Sequence, residues 1–230
     1  MNSVIIAKVP SQRLPLLLSM SRWGDVGLAS VWTLMSLAGV ATTVRRAGEV
    51  GWLTTTHQAV STMILILSAV LFAVRRPALS KSATWRSRFA AIVGTWMMPL
   101  LILLPLTRTA GAILTLSTIA LIATQIIAFW ALFTLRRSFS VFPEARALIR
   151  TGPYALVRHP LYAIYFAMYT MFLLPRLSIL AVVITALGLA CEIWRAHEEE
   201  AVLGAAFPEY SEYAATTPRF VPRLHLPQQS

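Results

Sequence analysis

Six apolar runs, at roughly 23–44, 58–74, 90–106, 110–135, 160–174 and 177–194, recur along the chain with short, mostly basic connections between them. A helix needs about 20 apolar residues to cross the hydrocarbon core of a bilayer, where every backbone polar group must be satisfied internally. The spacing leaves no stretch for a separate soluble domain. It predicts one all-α domain over 1–230, a polytopic transmembrane helical bundle of about six spans. Composition agrees, with 57% hydrophobic residues, 13% charged residues and a mean hydropathy of +0.68. The fifth and sixth runs are short, and Pro175-Arg176 between them predicts a helical hairpin whose flanking residues snorkel to the interface. Residues 14–20 are apolar too, but Pro10 and Pro15 punctuate this region and no small-residue cleavage site is evident. They read as an interfacial lead-in rather than a cleaved signal.

The net charge of +11 would suggest nucleic acid in a soluble protein, yet here the basic residues lie in the connections, where anionic lipid headgroups attract them. Membrane lipids are thus the expected partners, and nucleic acid is not. Placing the N-terminus inside puts sixteen of the 20 Lys and Arg residues on the cytoplasmic side. Only Arg45, Arg46, Arg108 and Arg176 fall opposite, which predicts an integral protein, of a bacterial inner membrane, with both termini cytoplasmic. The one cysteine, Cys191, excludes an internal disulfide, and no Cys/His cluster has metal-ligand spacing.

Polar chemistry concentrates in two places. The stretch GPYALVRHPLY at 152–162 gathers Tyr154, Arg158, His159 and Tyr162 at the mouth of the fifth run. Gly152-Pro153-Tyr154 reads as a turn, and Pro160 suits a first helical turn, where its missing N–H would be unpaired anyway. His159 then stands at a helix entrance, a place suited to a carboxylate or phosphate. More than half of the nine acidic residues follow the last run, as Glu198, Glu199, Glu200, Glu209 and Glu212. Continued helix from Ile193 to about Ala206 sets Arg195 four positions before Glu199. Three adjacent glutamates cannot share one helical face, so at least one meets solvent while another can meet the site. Beyond them, FPEYSEYAATTPRFVPRL is too aromatic for a disordered tail and too broken by proline for a long helix. It predicts a cytoplasmic helix and tail laid over a surface, closing something.

Taken in order, GPYALVRHPLY (152–162), an apolar hairpin, EEAVL (199–203), AAFPEY (205–210), Tyr213 and TPRFVP (217–222) resemble the isoprenylcysteine carboxyl methyltransferase family and its phospholipid methyltransferase relatives. The resemblance covers roughly 136–224, and the N-terminal helices in 1–135 carry no comparable signature. It implies an integral membrane methyltransferase that uses S-adenosylmethionine, enclosed by the C-terminal helices and tail. By motif position it implies a cofactor site of Arg158, His159, Pro160, Tyr162, Glu199 and Glu200. Gly152, Tyr154, Tyr210, Tyr213 and Arg219 are implied for its wall, and His159, Glu199 and Arg195 are the catalytic candidates. The chain departs from the family pattern at Ile164 and Pro208, where glycine is frequent.

Methyl transfer from a sulfonium is an in-line displacement, so a protein needs chiefly to align donor and acceptor and exclude water. A carboxylate acceptor is already ionised at neutral pH, whereas an amine or phenol gains from a base such as His159 or a glutamate. Both remain open, as do an isoprenylcysteine-like carboxylate and a phospholipid amine drawn from the bilayer. Two other classes are weighed. A nicotinamide-dependent reductase of the sterol reductase type calls for a basic phosphate-binding cluster on the tail, where only Arg195, Arg219 and Arg223 occur. A transporter calls for ionisable residues within several spans. Read singly, each residue has a plainer role: Arg158 an interfacial anchor, the tyrosines packing, His57 and Gln58 interfacial, His197 exposed, and Asp25 a helix-end group. Gln125, inside the fourth run, is expected to hydrogen-bond a neighbouring helix.

Overall fold

The computed structural model describes residues 6–8, 14–46, 48–82, 85–108 and 110–223. Pro10, Arg13 and His225 lie outside the described residues, as do the side chains of Lys8, Arg22 and Asp25. Long helices form at every apolar run. They are α1 (Leu14–Arg46), α2 (Trp52–Val74), α3 (Trp85–Ile102), α4 (Ala110–Leu135), α6 (Pro160–Leu173) and α7 (Ile179–Ala206). Two short helices, α5 (Pro153–Leu156) and α8 (Tyr210–Thr216), flank the polar segments. Among the described residues, three helices are long and apolar enough to cross a bilayer: Trp52–Val74, Gly111–Ser138 and Ile179–Ala206. With 14 residues, α6 rises only about 21 Å, short of the hydrocarbon core.

Three sequence expectations change. The 14–20 lead-in is not a separate interfacial piece but the first turns of α1, with Pro15 in the opening turn where its missing N–H costs nothing. The turn at 152–154 is a one-turn helix entered through Gly152, whose φ of +58° is a conformation glycine adopts freely; a Cβ there would also meet Thr134 Oγ1 at 3.0 Å. The bundle is also not purely helical. Three short antiparallel strands, β1 (Ile6–Lys8), β2 (Ser80–Ser82) and β3 (Glu144–Ala145), pair in the order β1-β2-β3, with Ser80 opposite Ala145 and Lys81 opposite Glu144. Hydrophobic patterning cannot announce strands of two or three residues, whose pairing comes entirely from distant connections.

Packing follows a series rather than a closed ring: α1 on α2, α2 on α4, α4 on α6, α6 on α7 and α7 on α3. The Pro175 break makes α6 and α7 the expected hairpin through a 3₁₀ turn at Leu174–Arg176. Leu101, Leu121, Tyr169, Phe172 and Ala181 form the core that ties α3, α4, α6 and α7 together. Tyr169 is fully buried and donates from its hydroxyl to the Gly94 carbonyl at 3.2 Å. Its ring lies where a Cβ on Gly188 would be, 2.4 Å away. Gly188→Ala is therefore expected to push Tyr169 out of place and destabilise the protein by about 1–3 kcal/mol, the usual range for overpacking a core. Thermal unfolding in detergent checks this, and a variant as stable as the wild type would refute the close approach.

Candidate functional site

The polar residues of 152–162 and of the α7 end meet because α6 and α7 pack antiparallel, which brings the start of one against the end of the other. His159 is the N-cap of α6, with Pro160 at the first helical position. Its backbone N–H does not stay open to an anion: it donates to the Arg219 carbonyl at 3.0 Å, and that of Arg158 donates to the Pro218 carbonyl at 2.8 Å. The expected helix-end anion site is thus partly consumed by the tail, which pairs with the chain at 158–159. Tyr213 pins the tail a second time, donating to the Tyr154 carbonyl at 2.6 Å.

The two glutamates, one helical step apart, do different things. Glu200 is the hub: it accepts from His159 Nε2 at 3.0 Å and from Arg219 Nε at 2.9 Å, faces Arg158 at 3.5 Å, and binds a second Arg219 nitrogen. Its hydrogen bonds hold the Arg219 guanidinium above its usual range. A carboxylate can only accept, so in this pair His159 donates from Nε2. Glu199 uses one oxygen, Oε2, which takes the Tyr162 hydroxyl at 3.1 Å and lies 4.0 Å from His159 Nδ1. Glu198 turns away and accepts from Trp194 Nε1 at 3.3 Å, as helical geometry requires of one member of the trio.

Two adjoining cavities open beside these groups. The smaller, of about 40 Å³, lies under the tail against Tyr154, Arg158, His159, Glu199, Tyr210 and Tyr213. The larger, of about 410 Å³, shares Tyr154, Arg158, His159 and Glu199, adds Pro160, Tyr162 and Arg195, and extends among α1, α2, α3, α4, α6 and α7. Glu200 and Gly152 line neither: one organises the site from behind and the other shapes the turn into it. Ile164, where the family pattern tends to glycine, is also off both cavities, packed with Ala128, Ala131 and Tyr154. Pro208 falls in the turn between α7 and α8, where the Tyr210 N–H reaches the Phe207 carbonyl at 3.0 Å.

Arg195 does not pair with Glu199 as the spacing suggests. It binds Glu192 one turn earlier, at 2.8 and 3.0 Å, donates to the Val141 carbonyl at 3.0 Å, and lies over the Tyr162 ring. Both members are buried, at 6% and 2% exposure, and both line the large cavity. Sequence reasoning missed Glu192, although an acidic residue inside an apolar run, three before an arginine, is itself a signal. It also missed Glu144, which β3 brings to the rim of both cavities. Burial opposes its ionisation, but Arg146, Lys81 and Arg75 outweigh that and hold its carboxyl below the usual range. Burial and the neighbouring Arg146 in turn pull Arg75 down to about 10.

A carboxyl held low in the folded state stabilises the fold above its ordinary pKa of about 4.3, and that contribution disappears as pH falls through the lowered value. Glu144→Gln is thus expected to lower stability by about 1.5–3 kcal/mol near neutrality, the range for hydrogen bonds to charged groups. The gap to the wild type should close well below pH 4.3. A gap independent of pH would disprove the assignment, and melting curves across that range decide it.

His57 is half-buried, lines the large cavity and meets the Phe172 ring edge-on at 6.3 Å. Gln125 donates across to Ser61 on α2 at 2.7 Å, as expected of a helix-to-helix hydrogen bond. His197 is exposed, 3.4 Å from an Arg219 nitrogen.

Comparison with known proteins joins this geometry to a family. The chain is 32% identical over 136 residues to the cobalt-zinc-cadmium resistance protein CzcN of Cupriavidus metallidurans, a match covering 58% of this chain and 54% of that protein. It is 37% identical over 84 residues to the nickel-cobalt-cadmium resistance protein NccN of Alcaligenes xylosoxydans xylosoxydans, covering 36% of this chain and 39% of the relative. The chain thus spans about half, or less, of the length of these curated relatives. The isoprenylcysteine carboxyl methyltransferase (ICMT) family model matches residues 113–205, the segment that supplies His159, Glu199, Glu200 and most of the cavity wall built by α4, α6 and α7. Through that segment the chain is similar to the isoprenylcysteine carboxyl methyltransferase family.

Proposed function

We propose that this protein is an integral membrane methyltransferase that uses S-adenosylmethionine to methylate a lipophilic acceptor reached from the bilayer. The observation that carries the reading is one cluster, His159 with Glu199 and Glu200, standing where a small polar cavity meets a large apolar one. The residues present fit the cofactor. Arg158 and Tyr210 face each other on the small cavity, where the guanidinium and the hydroxyl proton are donors suited to a carboxylate. Glu199, with one oxygen uncommitted, suits an ammonium group or ribose hydroxyls. When bound, S-adenosylmethionine supplies an electrophilic methyl group on its sulfonium.

The protein's own work is then alignment and exclusion of water. Glu200 holds His159, Arg158 and Arg219 together, and the tail covers the small cavity. Arg195 is neutralised by Glu192 on the wall of the large cavity, and an isoprenylcysteine-like carboxylate, already ionised, needs no base there. For an amine, His159 Nδ1 is the nitrogen placed to take the proton. Since α1 and α3 are the two ends of the packing series and both line the large cavity, the acceptor enters laterally between them. Six crossings, with α1, α3 and the short α6 joining the three apolar spans named above, and cytoplasmic termini complete the proposal. The names of the relatives extend it to a physiological setting, modification of a membrane component under metal stress. Among the described residues no three His, Cys, Asp or Glu side chains converge as a metal site.

Calorimetric titration of the purified protein with S-adenosylhomocysteine, with NADPH as competitor, tests the reading. Saturable S-adenosylhomocysteine binding that NADPH does not displace is expected; binding of NADPH alone would move the protein to the reductases.

A further inference from the structure

The large cavity ends, away from His159, on a polar group that methyl transfer does not require. Phe172 lies thirteen residues beyond His159, about 20 Å along α6; His57 stands against it and is joined by Ser61 and Gln125, all lining the cavity. Their hydrogen bonds fix the orientation of the Gln125 amide. The Ser61 hydroxyl spends its single proton on the His57 carbonyl at 2.8 Å, so towards Gln125 it can only accept, and it takes the Gln125 Nε2 at 2.7 Å. The same Nε2 lies 3.4 Å from His57 Nε2. Gln125 Oε1 is therefore the atom left over. It is buried, on a residue only 3% exposed, and has no hydrogen-bond partner. A buried acceptor without a donor is costly, and a site of this kind favours a ligand that supplies the donor over an isostere that lacks it.

We infer that Gln125, held by Ser61 and His57, is a specificity site that accepts a hydrogen bond from a hydroxyl or amide N–H at the far end of a long acceptor. The acceptor is thus not a plain hydrocarbon tail but an amphipathic chain with a donor some 20 Å from its reacting group. This rests on the proposed function for the identity of the reacting end alone; recognition at Gln125 is read by binding, without turnover.

The experiment compares hexadecanoate with 16-hydroxyhexadecanoate, chains of about that reach, by titration into nanodisc-reconstituted protein, wild type and Gln125→Met. The ratio of the two affinities is compared between proteins, so that differences in partitioning into lipid cancel. The wild type is expected to favour the hydroxylated chain about tenfold more than Gln125→Met does. Equal ratios in the two proteins would overturn the inference. If Gln125→Met does not fold, the wild type alone decides, because equal or weaker binding of the hydroxylated chain contradicts it. S-adenosylhomocysteine binding, measured in parallel, reports separately on the methyltransferase reading: its loss with the hydroxyl preference intact would sink that reading and leave this site standing.

Discussion

Arg195→Met is expected to destabilise the protein by about 3–5 kcal/mol, the cost of leaving a buried carboxylate without its cation. Glu192 is 2% exposed, its hydrogen-bonded partner is Arg195, and it sits inside the long apolar helix α7. Two further contacts go with it, the bond to the Val141 carbonyl and the packing over the Tyr162 ring. The double variant Glu192→Leu/Arg195→Met removes both charges at once and should recover much of the loss, since a buried ion pair adds little over well-packed apolar groups. Thermal unfolding of the three proteins in one detergent is the measurement. A single variant as stable as the wild type, or a double variant no better than the single, would mean that the charges are not paired in isolation from water. The same pair explains why Arg195 was read from sequence as a partner of Glu199: spacing of four and spacing of three are both permitted on a helix, and only the facing of the cavity selects between them.

Glu199→Gln is expected to weaken S-adenosylhomocysteine binding roughly ten- to a hundredfold, equivalent to about 1.5–3 kcal/mol for one charge-assisted hydrogen bond. It should do so with little change in melting temperature, because the hydrogen bond that Glu199 accepts among the described residues is from the Tyr162 hydroxyl, and an amide oxygen can still accept it. Glu200→Gln should behave differently. Its carboxylate joins His159, Arg158 and Arg219, so loss of charge should loosen the tail and lower both affinity and melting temperature. Calorimetry paired with melting curves separates the two. Parallel behaviour of both variants would show that the glutamates share one role.

The legible part of this protein was whatever depends on neighbours along the chain. Apolar length located every long helix, proline and glycine placed the 175 break and the 152 turn, and 152–162 and 199–203 fall in the segment that the family comparison matched over 113–205, while 217–222 lies beyond it. Even the division of labour among Glu198, Glu199 and Glu200 was half visible, since a rotation of about 100° per residue forces them onto different faces. What each face meets was not visible. That Glu200 turns to the tail and Glu199 to the cavity depends on how α6 crosses α7, and Glu144 reaches the rim only because β3 pairs with a strand more than sixty residues earlier.

Gln125 shows the limit most plainly. Sequence placed one polar residue in an apolar span and predicted a bond to another helix, and that bond exists. The sequence by itself determined a membrane bundle with a charged mouth, because burial in lipid is a property of composition and length. Only the tertiary structure decided which polar atoms are satisfied, because satisfaction is a matter of direction between groups far apart in the chain. Ser61 has one proton to give, and where it goes leaves a particular oxygen of Gln125 waiting for a donor.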